Sequence, residues 1–141
     1  MMPAERVLEA ARGWLGTPFL PGACQRGRGC DCGSFLAGVF ADAGVIEPLA
    51  LGKYDYLAPA MRGDAFYSDL VSLHARAVSE PRPGDIVMYL MGRAYSHAAL
   101  VVEWPRAVMH ACRESGVTMA RGDGGRLRGR APLFFRMNGL I

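Results

Sequence analysis

The chain has 141 residues, of which 51% are hydrophobic and 21% charged, and a formal net charge of +3. That is the composition of an ordinary globular protein, one domain by length and large enough to bury a core without staples. No stretch approaches the ~20 continuous apolar residues that a membrane span needs, so no membrane-spanning helix is expected.

The first residues, MMPAERVLEAARGWLG, have acids and arginines spaced through them. They lack the apolar run of a secretory signal peptide, so the expectation is synthesis in the cytoplasm with no encoded route out. Lys53 is the only lysine beside fifteen arginines. Arg121, Arg126, Arg128, Arg130 and Arg136 crowd the C-terminal end, and Arg26 and Arg28 precede a cysteine pair. A basic stripe is the electrostatic footprint of nucleic-acid binding. No DNA- or RNA-binding motif accompanies it, so no nucleic-acid partner is expected. A solvated, arginine-rich surface fits better, with an anionic polymer of another kind as a further use.

Residues 3–15, PAERVLEAARGWL, read as an amphipathic helix with Val7, Leu8, Ala11 and Leu15 on one face, Pro3 in the first turn and Gly16 at the stop. GTPFLPGACQRGRG follows as a glycine- and proline-punctuated loop. A second helix is predicted over 32–43, with Phe35, Leu36, Val39 and Phe40 on one stripe and Gly44 at its end. A third is predicted over 64–78, with Asp64 as N-cap and Phe66, Leu70, Leu73 and Ala77 sharing a face. After the PRPGD turn at 81–85 the period changes. DIVMYL, HAALVVE, AVMHAC, GVTMA and PLFFRM are short, β-prone and separated by turn residues. Helices first and strands afterwards imply an α+β domain, with helices packed on an antiparallel sheet.

Four cysteines are present: Cys24, Cys30, Cys32 and Cys112. Three uses compete for the Cys30/Cys32 pair: half of a metal site, part of a disulfide framework, or a nucleophile with a neighbour. Cys30 and Cys32 are too close to bridge each other comfortably. Zinc usually takes C-x2-C or similar pairs, and no second pair follows at the right spacing. Cys32, in contrast, stands where a helix begins, behind a glycine-rich loop. The partial positive charge and N–H groups of a helix N-terminus favour a thiolate there and offer donors for an oxyanion. Such a thiolate needs a base, which histidine supplies near neutral pH. His74 falls in the third predicted helix. His97 opens a strand and His110 lies near the end of the next, where antiparallel pairing brings the two to one face. A triad of Cys32, His97 and His110 follows from this geometry, against the alternative of histidines satisfied within the fold.

GTPF (16–19), GCDCGSFLAGVFADAGV (29–45), PRPGDIVMY (81–89), SHAALVVE (96–103) and MHACRESGV (109–117) together resemble the NlpC/P60 family of cysteine peptidases. The resemblance implies a papain-like α+β fold with Cys32 as nucleophile, His97 as base and His110 as the orienting third member. It implies substrate contacts at Asp31, pairing with a free amine, and around Phe19, Gly33 and Ser34. It also implies a substrate in peptidoglycan stem peptides, possessing the amide between D-glutamate and the diamino acid, and no cofactor or metal. Cys30, Cys24 and Cys112 receive no role from it beyond that of loop or core thiols. Two departures stand out. The family often has a tyrosine where this chain has Phe19, and its serine-glycine after the cysteine is Gly33-Ser34 here. The glycine-cysteine-aspartate-cysteine run resembles the compact peptidases of phages and gene transfer agents, which implies a tail-tip setting and tail-tip protein partners. Three rivals stand beside this reading: a structural tail protein that keeps the fold without turnover, a lipid-processing amidase or acyltransferase of the permuted papain-like type, and a zinc protein using Cys24, Cys30, Cys32 and a histidine. The permuted type places its histidine before its cysteine, opposite to the order here.

Overall fold

Pro3, whose missing N–H costs nothing in a first turn, opens helix α1 (Pro3–Arg12) in the computed structural model, which describes residues 1–47 and 74–140. Glu5 in the first turn and Arg12 in the last complement the helix dipole, and Val7 and Ala11 are buried. The helix stops at Arg12, three residues short of the predicted end. Leu15 therefore leaves the apolar face and is 45% exposed, and Trp14 takes the buried place instead. The Trp14 indole N–H donates to Asp42 Oδ2 at 2.9 Å, satisfying its one polar atom.

The loop expected after α1 contains a small hairpin, β1 (Cys24–Gln25) paired antiparallel with β2 (Gly29–Cys30). Helix α2 (Cys32–Asp42) follows, and its predicted stripe of Phe35, Leu36, Val39 and Phe40 is buried throughout. Gly38 lies in the same helix directly under the Trp14 ring, where a β-carbon would collide with the indole. Trp14 also meets Phe35 edge to face at 6.2 Å. The two helices are thus joined through one aromatic ring seated on one glycine.

The helix expected over 64–78 lies outside the described residues as far as 73. Its last part is a strand, β3 (Ala75–Val78), so Ala77 faces no helical core and is exposed. The remaining strands are β4 (Ile86–Met91), β5 (Ala94–Glu103), β6 (Ala107–Cys112), β7 (Gly116–Ala120) and β8 (Leu133–Met137). They form a six-stranded sheet in the order β3-β8-β4-β5-β6-β7 with every neighbouring pair antiparallel. Ala75 to Val78 pair residue by residue with Met137 to Phe134, and that ladder overrides the helical pattern of the Ala-Arg-Ala stretch. The α+β architecture, with helices against an antiparallel sheet, is the one expected.

Alternation along the strands sorts the sheet into two faces. Met88, Ala98, Leu100, Met109 and Ala111 pack with Phe35, Val39 and Phe40 of α2 in the main core. Val87, Tyr89, Ala99, Val101 and Val108 form a second cluster on the other face, closed by Leu127 from a short 3-10 turn (Gly125–Leu127). Burying a large apolar side chain contributes about 1.5–3 kcal/mol, so the α2 stripe alone outweighs the short hairpin that precedes it. No helix among the described residues is long and apolar enough to cross a membrane.

Asp85, at the end of the PRPGD turn, is 1% exposed. Its carboxylate accepts from both Nε (2.9 Å) and Nη2 (2.8 Å) of Arg136 and from the Arg82 N–H (2.8 Å). This pair ties β8 to the start of β4. It also removes Arg136 from the solvated arginine surface expected from the sequence; Arg121 and Arg126 stay on that surface, paired with Asp123 and Glu114. Gly38→Ala is expected to lower the unfolding free energy by about 1–3 kcal/mol through overpacking against Trp14. The measurement is the urea midpoint at unchanged slope, and a midpoint equal to that of the parent chain would show that the indole does not rest on Gly38.

Candidate active site

Asp31 decides where α2 begins. Its backbone is extended (φ −115°, ψ −173°), its Oδ1 accepts from the Ser34 N–H at 3.0 Å, and its own N–H donates to Ser34 Oγ at 2.8 Å. This reciprocal capping box satisfies donors that a helix start otherwise leaves open. The other carboxylate oxygen accepts from the Gly22 N–H at 2.8 Å, tying the cap to the preceding loop. Asp31 is fully buried and Ser34 is 1% exposed. Both side chains hold the helix start, and neither is among the residues that line the cleft described below. Gly33 is half-buried and does not line the cleft described below.

Fixing the cap at Asp31 makes Cys32 the first residue of α2. The intrahelical hydrogen bonds begin with Phe35 N–H to Asp31 O at 2.9 Å, so the N–H groups of Cys32 and Gly33 precede the ladder. Cys32 Sγ lies 3.7 Å from the carbonyl oxygen of Ser96, the residue before His97. The sequence places this sulfur at a helix start behind a glycine-rich loop. In the structure Cys32 is only 4% exposed and forms part of the wall of a cleft of about 230 Å³. Phe19, Ser96, His97 and His110 line the same cleft. Phe19 is brought there by backbone bridging to Cys30.

His97 lies inside β5 rather than opening it, because the strand starts at Ala94. Leu100 pairs with Met109, which makes His97 and His110 diagonal neighbours across β5 and β6. His97 Nε2 and His110 Nδ1 are 2.9 Å apart, and the rings meet edge to face with centroids 5.2 Å apart. Burial lowers the pKa of both imidazoles below the ordinary histidine value, and for His97 the neighbouring His110 lowers it further. Both are therefore neutral near pH 7, and a neutral imidazole can accept a proton. His74, the remaining histidine, sits just before β3, away from the cleft, with its carbonyl accepting from the Asn138 N–H at 2.9 Å.

The other thiols differ from Cys32 in their surroundings. Cys30 is fully buried, and burial together with Asp31, Cys24 and Cys32 pushes its thiol up to about 12. Cys24 is raised by burial of its sulfur and by Asp31 and Asp42, with Sγ 3.3 Å from the Ser34 carbonyl oxygen. Cys112 lines the cleft, as do Met91, Ala111, Arg113, Arg126 and Leu127, none of which the sequence assigns to a site. Cys112 was within reach of sequence reasoning, since it stands two residues after His110 on one strand and so shares its side. Arg126 and Leu127 arrive on a loop turn, for which no periodic signal exists.

No family model matches the chain, and no curated protein matches it. Solved structures do. An NlpC/P60 family protein from Bacillus cereus superposes with a TM-score of 0.66 at 16% identity, covering 94% of this chain and 39% of that one. The chain therefore spans about two fifths of the length of that relative. The NlpC/p60 domain of the peptidoglycan hydrolase SagA matches with a TM-score of 0.59 at 17% identity, covering 94% of this chain and 97% of the domain. RipD from Mycobacterium tuberculosis, a non-catalytic NlpC/p60 domain protein adapted to peptidoglycan binding, matches at 0.64 and 15% identity over 96% of this chain and 98% of its own. With an α2 that begins at a cysteine, a sheet that pairs two histidines beside it, and these superpositions over nearly the whole chain, the fold is that of the NlpC/P60 proteins.

Proposed function

We propose that the chain is a cysteine peptidase of the NlpC/P60 family that hydrolyses an amide bond in the peptide stems of peptidoglycan. The observation that carries this reading is the 2.9 Å His97–His110 contact in a cleft shared with Cys32 at a helix start. The hydrolase SagA among the matching structures supports the substrate class.

The base role requires the tautomer in which His97 Nε2–H donates to His110 Nδ1. That leaves His97 Nδ1 to take the proton of the Cys32 thiol. The thiolate then attacks the carbonyl carbon of the stem amide, and the carbonyl π electrons move to oxygen. First-turn N–H groups of α2 stabilise that oxyanion, aided by the helix dipole. Collapse expels the amine, which takes the proton held on His97. Water, deprotonated by His97, attacks the thioester and releases the acid and the Cys32 thiol. His110 acts through His97, holding its tautomer and ring angle. A tail-tip setting is inferred from the glycine-cysteine-aspartate-cysteine run alone, and copurification with tail-tip proteins tests it.

A second reading is favoured by Phe19. It lines the cleft with a ring that has no hydroxyl to donate, and loss of one oxyanion donor costs ~10²–10³ in rate. On this reading the chain is a structural or peptidoglycan-binding protein with little turnover; RipD, described as non-catalytic and adapted to peptidoglycan binding, is a precedent for the binding role. A thiol probe at neutral pH separates the two: under the peptidase reading Cys32 is labelled faster than the other three cysteines, and equal rates favour the binding-only protein.

Cys32→Ala is expected to abolish the release of new amino termini from purified sacculi, while Cys30→Ala leaves most of it. Equal losses in both variants would remove Cys32 from the nucleophile role. Mass spectrometry of the same digest reads which stem bond is cut.

The neutral histidine pair also sets a pH dependence. Because burial lowers both folded values below the ordinary 6.5, the unfolded chain takes up protons before the folded one does. The stability due to these neutral imidazoles is complete above pH 6.5 and is lost as pH falls from there toward about 3, the value to which His97 is pushed. The urea midpoint should therefore drop between about pH 7 and pH 5, before most carboxylates titrate, and drop less in His97→Gln. A flat midpoint in the parent chain would contradict burial of the pair in neutral form.

A further inference from the structure

Cys24 and Cys30 take no part in the proposed chemistry, yet the fold sets them face to face. They are direct partners across β1 and β2, and both are free thiols. Which kind of partner they are follows from the backbone of Cys30. Its N–H donates to the Pro18 carbonyl at 3.0 Å, and its own carbonyl accepts from the Leu20 N–H at 2.9 Å. The N–H and C=O of a strand residue leave on the same side, so both backbone groups of Cys30 are directed at residues 18–20 and away from Cys24. The Cys24–Cys30 pair is therefore of the non-hydrogen-bonded antiparallel type, in which facing Cα atoms stand about 4.5 Å apart. That separation lies inside the roughly 4.4–6.8 Å that a disulfide spans. Side chains of directly opposed residues leave the ladder on one face, and Cys24 is close enough to be among the groups that perturb the Cys30 thiol. Cys24 is exposed and Cys30 fully buried behind it, which gives the pair an entry point and a resolving partner.

We infer that Cys24 and Cys30 are a dithiol that closes to a cross-strand disulfide when the protein meets a small-molecule disulfide oxidant. The Cys24 thiolate attacks one sulfur of glutathione disulfide, forming a mixed disulfide and releasing one glutathione thiolate. The Cys30 thiol loses its proton to solvent and attacks Cys24 sulfur, forming the protein bridge and releasing the second glutathione. Two protein thiols are oxidised and one disulfide is reduced to two thiols, so electrons and protons balance. The first step starts at the exposed residue Cys24, although burial of its sulfur and the nearby Asp31 and Asp42 disfavour its thiolate too. The second is the slow one, because Cys30 is fully buried and burial disfavours its thiolate most.

The bridge braces a short segment with two ends at the cleft. Cys30 is bonded on its other side to Pro18 and Leu20, the residues flanking Phe19, and it is followed directly by Asp31 and Cys32. Closing Cys24 onto Cys30 would thus join the loop that holds the Asp31 carboxylate, through Gly22, to the wall that presents Phe19. This inference goes beyond the proposed hydrolysis and stands whether or not Cys32 is a nucleophile.

The test uses the full chain carrying Cys32→Ala and Cys112→Ala, so that Cys24 and Cys30 are the only thiols. The protein is equilibrated in glutathione disulfide, blocked with an alkylating reagent and digested with trypsin. Cleavage after Arg26 and Arg28 separates peptides 13–26 and 29–53, so only a bridge keeps them together. The expected result is a joined species about 2 Da lighter than the sum of its parts, split by reductant, with loss of both alkylation sites. Two free thiols, or glutathione retained on Cys24 without a bridge, would overturn the inference. Where the double variant does not fold, Cys30→Ser in the otherwise native chain makes the same distinction. A peptide pair that persists in it would show that Cys24 bridges to Cys32 instead, and its disappearance assigns the bridge to Cys30.

Discussion

A single buried carboxylate organises the cleft. Asp31 gives one oxygen to the Ser34 N–H and the other to the Gly22 N–H, and it is completely withdrawn from solvent. The first bond decides the residue at which α2 starts. The second decides where the glycine-rich loop lies against that start. Moving the cap by one position would rotate Cys32 by roughly 100° about the helix axis, since an α-helix has 3.6 residues per turn. The sulfur would then no longer lie beside Ser96. An acid next in sequence to a candidate nucleophile is easily read as a ligand for substrate. Here its charge is balanced by backbone donors at the positive end of a helix, where it stabilises the fold.

The sheet contributes the complementary half. His97 and His110 come from neighbouring strands in a register that makes them diagonal, and their nitrogens are at hydrogen-bond distance. Two imidazoles sharing a contact cannot both hold a proton on the shared side, and burial disfavours the charged form of each. The pair therefore behaves as one neutral unit with a defined direction, one ring supporting the other. Cys32 belongs to the helix layer and the histidines to the sheet, so the cleft exists only where the two layers are held in place. The core in which Phe35, Val39 and Phe40 of α2 pack with Met88, Ala98, Leu100, Met109 and Ala111 of the sheet is what holds them.

Much of this was legible in the residues. The α2 stripe and the strands AVMHAC and GVTMA fall at the expected positions because period and turn residues agree there. The juxtaposition of His97 and His110 follows from ladder geometry. Three things were not legible. Ala75–Val78 has helical local preference and becomes a strand because β8 offers it partners far along the chain. That Asp31 caps α2 with both carboxylate oxygens is seen only in the fold, because one of its two donors, the Gly22 N–H, lies nine residues earlier. The run of C-terminal arginines looks like one solvated face, but Arg136 pairs with a buried aspartate 51 positions earlier, an interaction that no local pattern encodes. Cys24 and Cys30 were hidden for a related reason: the hairpin that opposes them is two residues long on each side, below the length at which alternation is a signal.

The loop that carries Phe19 touches the sheet at one more place. Gly16 N–H donates to the Val117 carbonyl, and Val117 N–H to the Thr17 carbonyl, both at 2.9 Å. Gly116, at φ +68°, lets the chain pass there, since a β-carbon would meet the Thr17 carbonyl oxygen. Among the described residues β7 is the last strand on that side of the sheet. An outermost strand ordinarily offers its unpaired amides to any extended peptide, including the same strand of another molecule. By occupying the amide and carbonyl of Val117, residues 16 and 17 cover the start of that margin, so the loop that shapes the cleft also takes up backbone groups that another extended chain could pair with.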